Sequence, residues 1–160
     1  MKYLDVPYFK QDTNYTCGPT ALQMVLAYYD IRESEASLAE KLGTDSDNGT
    51  RRVKMRELAV SYGLHCYVND NAPFEELSFF IATDVPVIIR FLETGKGEDH
   101  YGVVIGANEH SVVIHDPWHG ERVHFDRADF LPRWTCDIIG DCHQWLMAVS
   151  KDPLPLGHQY

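Results

Sequence analysis

The spacing of apolar residues changes near Val85, and this change most limits the folds open to the chain. Before Val85, apolar side chains recur at intervals of three and four residues, which predicts helices. After it, three runs rich in β-branched residues are bounded by turn formers, which predicts strands. These runs are VPVIIRFLE, HYGVVIGANE and SVVIHDP. Helices followed by strands indicate an α+β fold, with a helical N-terminal half packed on a mainly antiparallel sheet.

Capping signals and apolar stripes place the individual elements. Four helices are predicted, from about Gly18 to Tyr29, from Ser34 to Gly43, from Thr50 to Gly63, and from Pro73 onward. ERVHF and QWLMAVS are predicted as further strands, and ADFLPRW as a short helix or turn. The first ten residues are expected to form an extended arm or edge strand. No linker or repeat divides the chain, so one domain over 1–160 is predicted, with a core at about 4–149 and a loosely held C-terminal tail.

The charge of the chain excludes some classes of partner. Its formal net charge is −10, from 24 acidic residues against 14 lysines and arginines, and no basic run occurs. Nucleic acids and anionic membrane surfaces are therefore not expected to bind. No apolar run approaches the roughly 20 residues that cross a bilayer, and the N-terminus lacks the apolar middle of a signal peptide. We expect a cytoplasmic protein without membrane insertion, with export by a route that leaves no N-terminal signal as the alternative.

The four cysteines are too few for a small disulfide scaffold. Free thiols are expected in a chain without a signal peptide, and a disulfide between Cys136 and Cys142 is the alternative. Cys136, Cys142 and His143 are also considered as zinc ligands, but no CxxC pairs with another at zinc-finger spacing. No metal site is predicted.

Cys17 stands immediately before Gly18-Pro19, where the first helix is expected to begin. The start of a helix presents unpaired N–H groups and a partial positive charge, which favour the nucleophilic thiolate. Gly18 allows another backbone to approach closely, and we count it among the substrate-binding residues. The Cys17 N–H and the side-chain amide of Gln11 could both donate to an oxyanion. The plainer interpretation is a small packed cysteine and a solvated glutamine, so the hypothesis needs a base.

His100 is the best-placed base, because it opens an apolar strand after the flexible run TGKGED. If an antiparallel hairpin turns at residues 108–110, Gly102 lies opposite Asp116. His100 is then a diagonal neighbour of Asp116, about 7–8 Å away and within reach of a hydrogen bond. Asp116 would fix the tautomer of the imidazole and favour its protonated form. The alternative for Asp116 is a turn residue before Pro117, and a two-residue loop would put the two side chains on opposite faces.

Other residues are candidates for the walls of a cleft. His115 and His119 flank the DPW segment and could line it. Tyr101 and Trp118 are candidates for substrate binding, and with Phe91 they could form the wall of a cleft and control the access of water, although simple packing is the favoured interpretation.

Three segments resemble motif blocks of the papain-like bacterial cysteine peptidases: QDTNYTCGPTALQMVLAYY, DHYGVVIG and VVIHDPWHG. The most similar group is the peptidases that process bacteriocin leaders after a double glycine, together with their stand-alone relatives. The resemblance spans roughly residues 4–149. It implies a nucleophile at Cys17, a general base and acid at His100, an orienting carboxylate at Asp116 and an oxyanion donor at Gln11. The bacteriocin-processing enzymes are usually fused to a membrane-spanning transporter, and this sequence has no membrane segment, so double-glycine specificity is not carried over.

The leading functional prediction is hydrolysis of a peptide or amide bond through a thioester on Cys17, with no metal or organic cofactor. A peptide or protein is the expected partner. One alternative is transfer of the same acyl group to an amine, as in transglutaminase-like chemistry. The other is peptide binding by an inactive peptidase fold, against which the four residues Gln11, Cys17, His100 and Asp116 argue. The sequence predicts neither the individual substrate nor the oligomeric state.

Overall fold

The computed structural model describes residues 1–136, 142–156 and 159–160. The helices in these ranges are α1 Cys17–Tyr28, α2 Glu35–Leu42, α3 Arg52–Ser61, α4 Glu75–Ala82 and α5 Arg127–Phe130, with a short 3-10 helix at Leu131–Arg133. The strands are β1 His65–Asn69, β2 Val87–Leu92, β3 Asp99–Ala107, β4 Ser111–Asp116, β5 Gly120–Asp126 and β6 Leu146–Ser150. Residues 157–158 of the predicted tail lie outside the described ranges.

These strands form one sheet in the order β1-β6-β2-β3-β4-β5, and every neighbouring pair is antiparallel. The predicted α+β class, with a helical N-terminal half and an antiparallel sheet, is confirmed. β1 departs from the helices-first order, because it lies between α3 and α4 in the chain and pairs with β6. Of its five side chains only Cys66 is buried, so no alternating pattern marks this segment as a strand.

The four longer helices form where the apolar stripes and caps predict them. α1 packs against β3, and Pro19 occupies its first turn, where a missing N–H costs no hydrogen bond. α2 follows the N-cap Ser34, whose side chain accepts a hydrogen bond from the Ser37 N–H, and ends at Gly43 with φ 67°. Within the described ranges, no helix has both the length and the apolar character required to cross a bilayer.

The β3–β4 hairpin has a different turn from the one expected. Ala107 pairs with Val112 rather than with the residue before it, so the turn is one residue longer than predicted. A β-bulge at Ile105 then adds one residue to β3 and shifts the register back by one. Beyond the bulge the strands pair as the sequence predicts, with Val103 opposite His115.

The N-terminal arm is extended and lies beside β3. The Leu4 N–H donates to the carbonyl of Ile105 at 2.8 Å, just past the point where the β2–β3 pairing ends. Further along the arm, the Gln11 N–H donates to the carbonyl of Pro117 at 2.9 Å. The arm is therefore fixed at both ends.

The C-terminal tail differs from the loosely held segment expected. The N–H and carbonyl of Tyr160 pair with the carbonyl and N–H of Cys66, at 2.7 and 2.8 Å. Leu154 is also buried. The last residues thus lie against β1.

Cys136 and Cys142 form a disulfide, so the prediction of free thiols is wrong for these two residues. Thr135 and His143 pair in an antiparallel bridge, which brings the two cysteine Cα atoms to 5.2 Å, within the range of a disulfide. The disulfide leaves neither sulfur as the thiolate that a zinc site would need. Residues 137–141, between the two cysteines, lie outside the described ranges.

Candidate active site

Cys17 is the first residue of α1, and the turn before it is fixed by two threonines. The Oγ1 atoms of Thr13 and Thr16 are 2.8 Å apart, and the Thr16 Oγ1 accepts the Thr13 N–H at 3.2 Å. No side-chain cap occupies the N-terminus of α1. The Cys17 side chain is half-buried and lies near enough to His100 to raise the pKa of its imidazole. The sulfur therefore lies at the start of a helix with an imidazole beside it.

His100 lies between Cys17 and Asp116. Its Nε2 is 2.7 Å from the Asp116 Oδ1, which leaves Nδ1 for the sulfur of Cys17. Asp116 is 1% exposed, and the same Oδ1 accepts the N–H groups of Trp118 and His119 at 2.9 and 3.1 Å. The structure thus joins His100 and Asp116 by a hydrogen bond and places Cys17 beside the same imidazole.

The pKa values of His100 and Asp116 move in opposite directions. Burial lowers the pKa of His100, but its hydrogen bonds with Asp116 and Cys17 outweigh burial and raise the pKa to about 10. Burial raises the pKa of Asp116, but the hydrogen bond with His100 and the two backbone donors outweigh burial and lower it.

Gln11 lies beside this centre and makes a hydrogen bond that the sequence did not predict. Its Nε2 donates one proton to the carbonyl of Thr13 at 2.6 Å. Its Oε1 is buried and has no hydrogen-bond partner among the described residues. An amide nitrogen carries two protons, so one remains available for an oxyanion next to Cys17.

A cavity of about 480 Å³ opens beside His100. Gln11, Trp118 and His119 line it, together with residues of the β2–β3 loop. Trp118 is 43% exposed, so its side chain is accessible for the predicted contact with a substrate. In the part of the chain that the structure describes, no three His, Cys, Asp or Glu side chains are grouped as ligands for a metal ion.

Glu93 is a buried carboxylate in this cavity wall that the sequence did not identify. Its oxygens accept the N–H groups of Gly95, Lys96 and Glu98 at 2.6, 2.6 and 3.1 Å, and they also bond the Nε2 of His119. Burial raises the pKa of Glu93, but these hydrogen bonds outweigh it and lower the pKa to about 2. Glu93 therefore ties the β2–β3 loop to the β4–β5 turn. Glu93 and His119 are 26 residues apart in the sequence, and no local sequence signal predicts a contact at that separation.

Gly18 and Tyr101 do not line this cavity and instead pack around Thr50. A Cβ on Gly18 would lie 2.7 Å from the Cβ and Oγ1 of Thr50. Tyr101 is 2% exposed, and its hydroxyl donates to the Thr50 carbonyl at 2.8 Å. The chain segment that approaches Gly18 closely is the one that carries Thr50. Tyr101 is a packed residue in this structure. Substrate binding by either residue stays a prediction with no supporting contact.

His115 holds the N-terminal arm and does not line the cavity. It is 3% exposed, its Nε2 donates to the carbonyl of Val6 at 2.9 Å, and its Nδ1 accepts the Arg122 N–H at 3.2 Å. Burial lowers the pKa of His115, which favours the neutral form that this bonding requires. The Tyr8 hydroxyl donates to the carbonyl of Asp116 at 2.8 Å, so the arm contacts β4 at consecutive residues.

Curated proteins with similar sequences differ in length. An uncharacterized protein of Methanothermobacter marburgensis is 30% identical over 130 residues, which are 81% of this chain and 84% of that protein. The lactococcin-A transport/processing ATP-binding protein LcnC of Lactococcus lactis is 30% identical over 138 residues. That alignment covers 84% of this chain but 18% of LcnC. The chain therefore matches most of the length of the Methanothermobacter protein but only a small part of the length of LcnC.

Solved structures share the fold. A double glycine motif protease from an AMS/PCAT transporter, crystallised with the leader peptide, has a TM-score of 0.74 at 23% identity, covering 93% of this chain and 94% of that one. The peptidase domain of Streptococcus ComA has a TM-score of 0.72 at 21% identity, covering 90% and 97%. The fold is therefore the papain-like fold of these peptidase domains.

A family-wide comparison gives the same result. Residues 3–136, more than four fifths of the chain, match the Peptidase_C39 like family. The resemblance to bacteriocin-processing peptidases and their stand-alone relatives is confirmed, and the chain belongs to the Peptidase_C39 like family.

Proposed function

We propose that this protein is a cysteine peptidase that hydrolyses peptide bonds through a thioester on Cys17. The observation that supports it most directly is the hydrogen bond between His100 and Asp116, with Cys17 beside the same imidazole. Membership of a peptidase family supports the class of reaction. Thiol chemistry requires a nucleophile, a base and a group that orients the base, and the chain has one residue for each.

The first step is attack by the Cys17 thiolate on the substrate carbonyl carbon, which forms the C–S bond and leaves the charge on oxygen. The Cys17 N–H and the free Nε2 proton of Gln11 donate to that oxygen. His100 gives its Nδ1 proton to the leaving amine as the C–N bond breaks. Water then gives a proton to the same nitrogen, attacks the thioester, and releases the acid and the Cys17 thiolate.

Asp116 supports both steps by holding the imidazole in one orientation. The Nε2 proton of His100 is directed at the Asp116 Oδ1, so the exchangeable proton is the one on Nδ1, beside the sulfur. Because Oδ1 also accepts two backbone N–H groups, the carboxylate is fixed before the substrate binds. The geometry is thus set in advance of the reaction.

We propose a peptide or protein as the substrate. The double glycine motif protease that shares this fold was crystallised with a leader peptide. The cavity beside His100, about 480 Å³, has room for several side-chain groups. Identity of 23% supports the fold alone, so double-glycine specificity is not part of the proposal.

Cleavage of a peptide library by the wild type and by Cys17→Ala tests the proposal. Turnover should be lost in Cys17→Ala, because no other group supplies the thiolate. Cys66→Ala is the matched control, since Cys66 is a free but buried thiol whose pKa burial raises to about 12. Equal turnover by the wild type and Cys17→Ala would remove Cys17 from the mechanism.

Two further measurements separate the alternatives. Iodoacetamide near pH 6 should modify Cys17 faster than a free thiol and leave Cys66 unmodified. A rate no faster than that of a free thiol would favour an inactive, peptide-binding fold. Product masses with and without an added amine then distinguish hydrolysis from acyl transfer.

The disulfide bears on the cellular location. Disulfides persist in oxidising compartments, whereas cytoplasmic thiols are usually kept reduced. We therefore propose that the protein works where the Cys136–Cys142 bond persists, rather than in the cytoplasm that the sequence suggested. Alkylation of thiols before cell lysis, followed by peptide mapping, tests this; a reduced pair in cells would restore the cytoplasmic prediction.

A further inference from the structure

Half of the arginines of this acidic chain meet at a second cavity. The sequence has eight arginines and a net charge of −10. Four of the eight line a cavity of about 450 Å³, which shares no lining residue with the cavity beside His100. We call it the arginine cavity; its arginines are Arg51, Arg52, Arg56 and Arg90. Positive charge is thus concentrated at one place on a negatively charged molecule.

Two of these arginines have acidic partners. Arg90 donates through Nε to the Asp99 carboxylate at 2.9 Å and through its terminal nitrogen to the same group. Arg52 lies 3.5 Å from Asp70, which is the one acidic residue among the described residues that line the cavity. The Arg52–Asp70 distance is long for a charged hydrogen bond, so Arg52 is still available to another carboxylate.

The other two arginines have different surroundings. Arg56 lies over the ring of Tyr160, 3.9 Å from its centroid. Arg51 is exposed, and its guanidinium has no hydrogen bond or ion pair within the ranges that the structure describes. Arg51 is therefore the guanidinium most ready to bind an anion.

Part of the lining of the arginine cavity is apolar. Val53, Val68 and Trp145 line it, and Trp145 is 2% exposed. The first turn of α3 forms one wall, and its N-terminus carries no side-chain cap, so its N–H groups add to the positive potential. An aliphatic stem that ends in a carboxylate matches a lining that combines apolar side chains with guanidinium groups.

The arginine cavity adjoins the nucleophile. Thr50 lines it and packs against Gly18, the residue after Cys17. Arg90 pairs with Tyr101, on the face of the sheet opposite the His100 side chain, and the Tyr101 hydroxyl donates to Thr50. A peptide bound at Cys17 can therefore extend into this cavity as well as into the cavity beside His100.

The chemistry assigns a direction to the peptide. In the proposed reaction the departing amine takes its proton from His100, so the departing chain leaves into the cavity that His100 lines. The acyl part, which stays on Cys17, then extends the other way. This places the residues N-terminal to the cleaved bond at the arginine cavity.

We propose that the arginine cavity binds an acidic side chain, glutamate or aspartate, of a peptide substrate on the N-terminal side of the cleaved bond. This inference rests on the proposed peptidase function. It adds a preference for acidic residues in the substrate. The negative net charge of the chain opposes the binding of an acidic residue, but the arginines make it favourable at this cavity.

Matched peptides test the preference. In a set in which glutamate, glutamine or lysine is placed at each position N-terminal to the cleaved bond, kcat/KM should be about tenfold higher for glutamate than for glutamine at one position. Lysine should be poorer still at that position. The Glu-over-Gln ratio should collapse in Arg51→Gln/Arg52→Gln and persist in Arg32→Gln, a control arginine outside the cavity. Equal rates for glutamate and glutamine at every position would overturn the inference and leave hydrolysis intact.

Binding to Cys17→Ala separates this inference from the proposed function. The anisotropy of labelled glutamate and glutamine peptides gives an affinity ratio without any cleavage. A ratio that favours glutamate and is lost in the triple variant with Arg51→Gln and Arg52→Gln supports acid recognition, even if the wild type cleaves nothing. A ratio of one, with measurable binding of both peptides, overturns acid recognition. Circular dichroism checks that each variant is folded.

Discussion

The Nε2 of His100 lies 2.7 Å from the Oδ1 of Asp116, on a hairpin whose register changes between the turn and this contact. If the pairing of Ala107 with Val112 continued without interruption, Asp116 would lie opposite Val103 and face away from His100. The bulge restores the side-chain alternation that lets the two residues meet. The orientation of the proposed base thus depends on one extra residue in β3.

Asp116→Asn should lower kcat by on the order of 10³-fold, because an amide can neither stabilise the imidazolium nor impose the same tautomer. Steady-state kinetics on a cleaved peptide measures the loss, and Asp47→Asn in an exposed loop is the control. An unchanged kcat in Asp116→Asn would show that Asp116 acts only as a turn residue.

The His100 pair should make stability fall as pH rises. The pKa of His100 is raised from 6.5 to about 10 in the folded protein. Between these two pKa values the folded state holds more protons than the unfolded state. The stabilisation by protonated His100 is therefore complete below about pH 6.5 and is lost as the pH rises through about 10. Denaturant unfolding of the wild type and His100→Gln from pH 6 to pH 10 measures this stabilisation as the difference between their free energies of unfolding.

The free energies of unfolding of wild type and His100→Gln should converge as the pH increases. His110→Gln, which removes an exposed histidine, serves as the control and should follow the wild type throughout. Parallel profiles for the wild type and His100→Gln would contradict a raised pKa at His100.

Gln11→Ala should reduce kcat/KM by about 10²–10³-fold and change stability little. Truncation removes the hydrogen bond to Thr13, worth about 1 kcal/mol, but also removes an oxygen buried without a partner in the described structure. Kinetics and thermal unfolding are compared with those of Asn14→Ala, which lines the same cavity and is exposed. A large loss of stability with unchanged kcat/KM would make Gln11 a structural residue.

Glu93→Gln should loosen the β2–β3 loop, because a neutral amide accepts the three backbone N–H groups and His119 more weakly. Hydrogen exchange at Gly95 and Lys96 should speed up, and KM should rise more than kcat falls. Since the folded pKa is lowered from 4.5 to about 2, the stabilisation is present above about pH 4.5 and is lost as pH falls through about 2.

Glu109→Gln, an exposed carboxylate on the β3–β4 turn, is the control for that experiment. Unchanged exchange at both amides in Glu93→Gln would show that the loop does not depend on this carboxylate.

Gly18→Ala should destabilise the protein by about 1–3 kcal/mol, since its Cβ would lie 2.7 Å from Thr50. In a double-mutant cycle, Thr50→Gly should recover part of this loss by removing the clashing atoms. Additive effects of the two substitutions, measured by denaturant unfolding, would argue against a clash with Thr50.

Long apolar patterns made the helices and the central strands predictable. The stripe of α1 and the β-branched runs of β2, β3 and β4 carry their own periodicity, and tertiary contacts reinforce it. β1 lacked such a signal, because Cys66 is its one buried residue. The bonds that hold Tyr160 against β1 were likewise invisible, since they join backbone groups far apart in the sequence.

The candidate site was predictable in part. Cys17 and His100 stand at the starts of elements, where local sequence shows a functional position. The His100–Asp116 contact followed from strand pairing, although the expected turn was one residue too short and the bulge compensated. The Glu93–His119 contact and the arginine cavity depend on loops and on elements far apart in the chain, which periodicity cannot relate.

The N-terminal arm has a consequence for truncated forms of this protein. Val6, Tyr8 and Gln11 form hydrogen bonds to three successive residues, numbers 115–117, at the end of β4 and just beyond it. The middle one is Asp116, the proposed orienting residue, whose backbone carbonyl accepts the Tyr8 hydroxyl. A version that starts at residue 12 would retain Cys17, His100 and Asp116 but would lose these hydrogen bonds together with Gln11, the proposed oxyanion donor. Inactivity of such a shortened form would report a lost support, not the absence of the nucleophile.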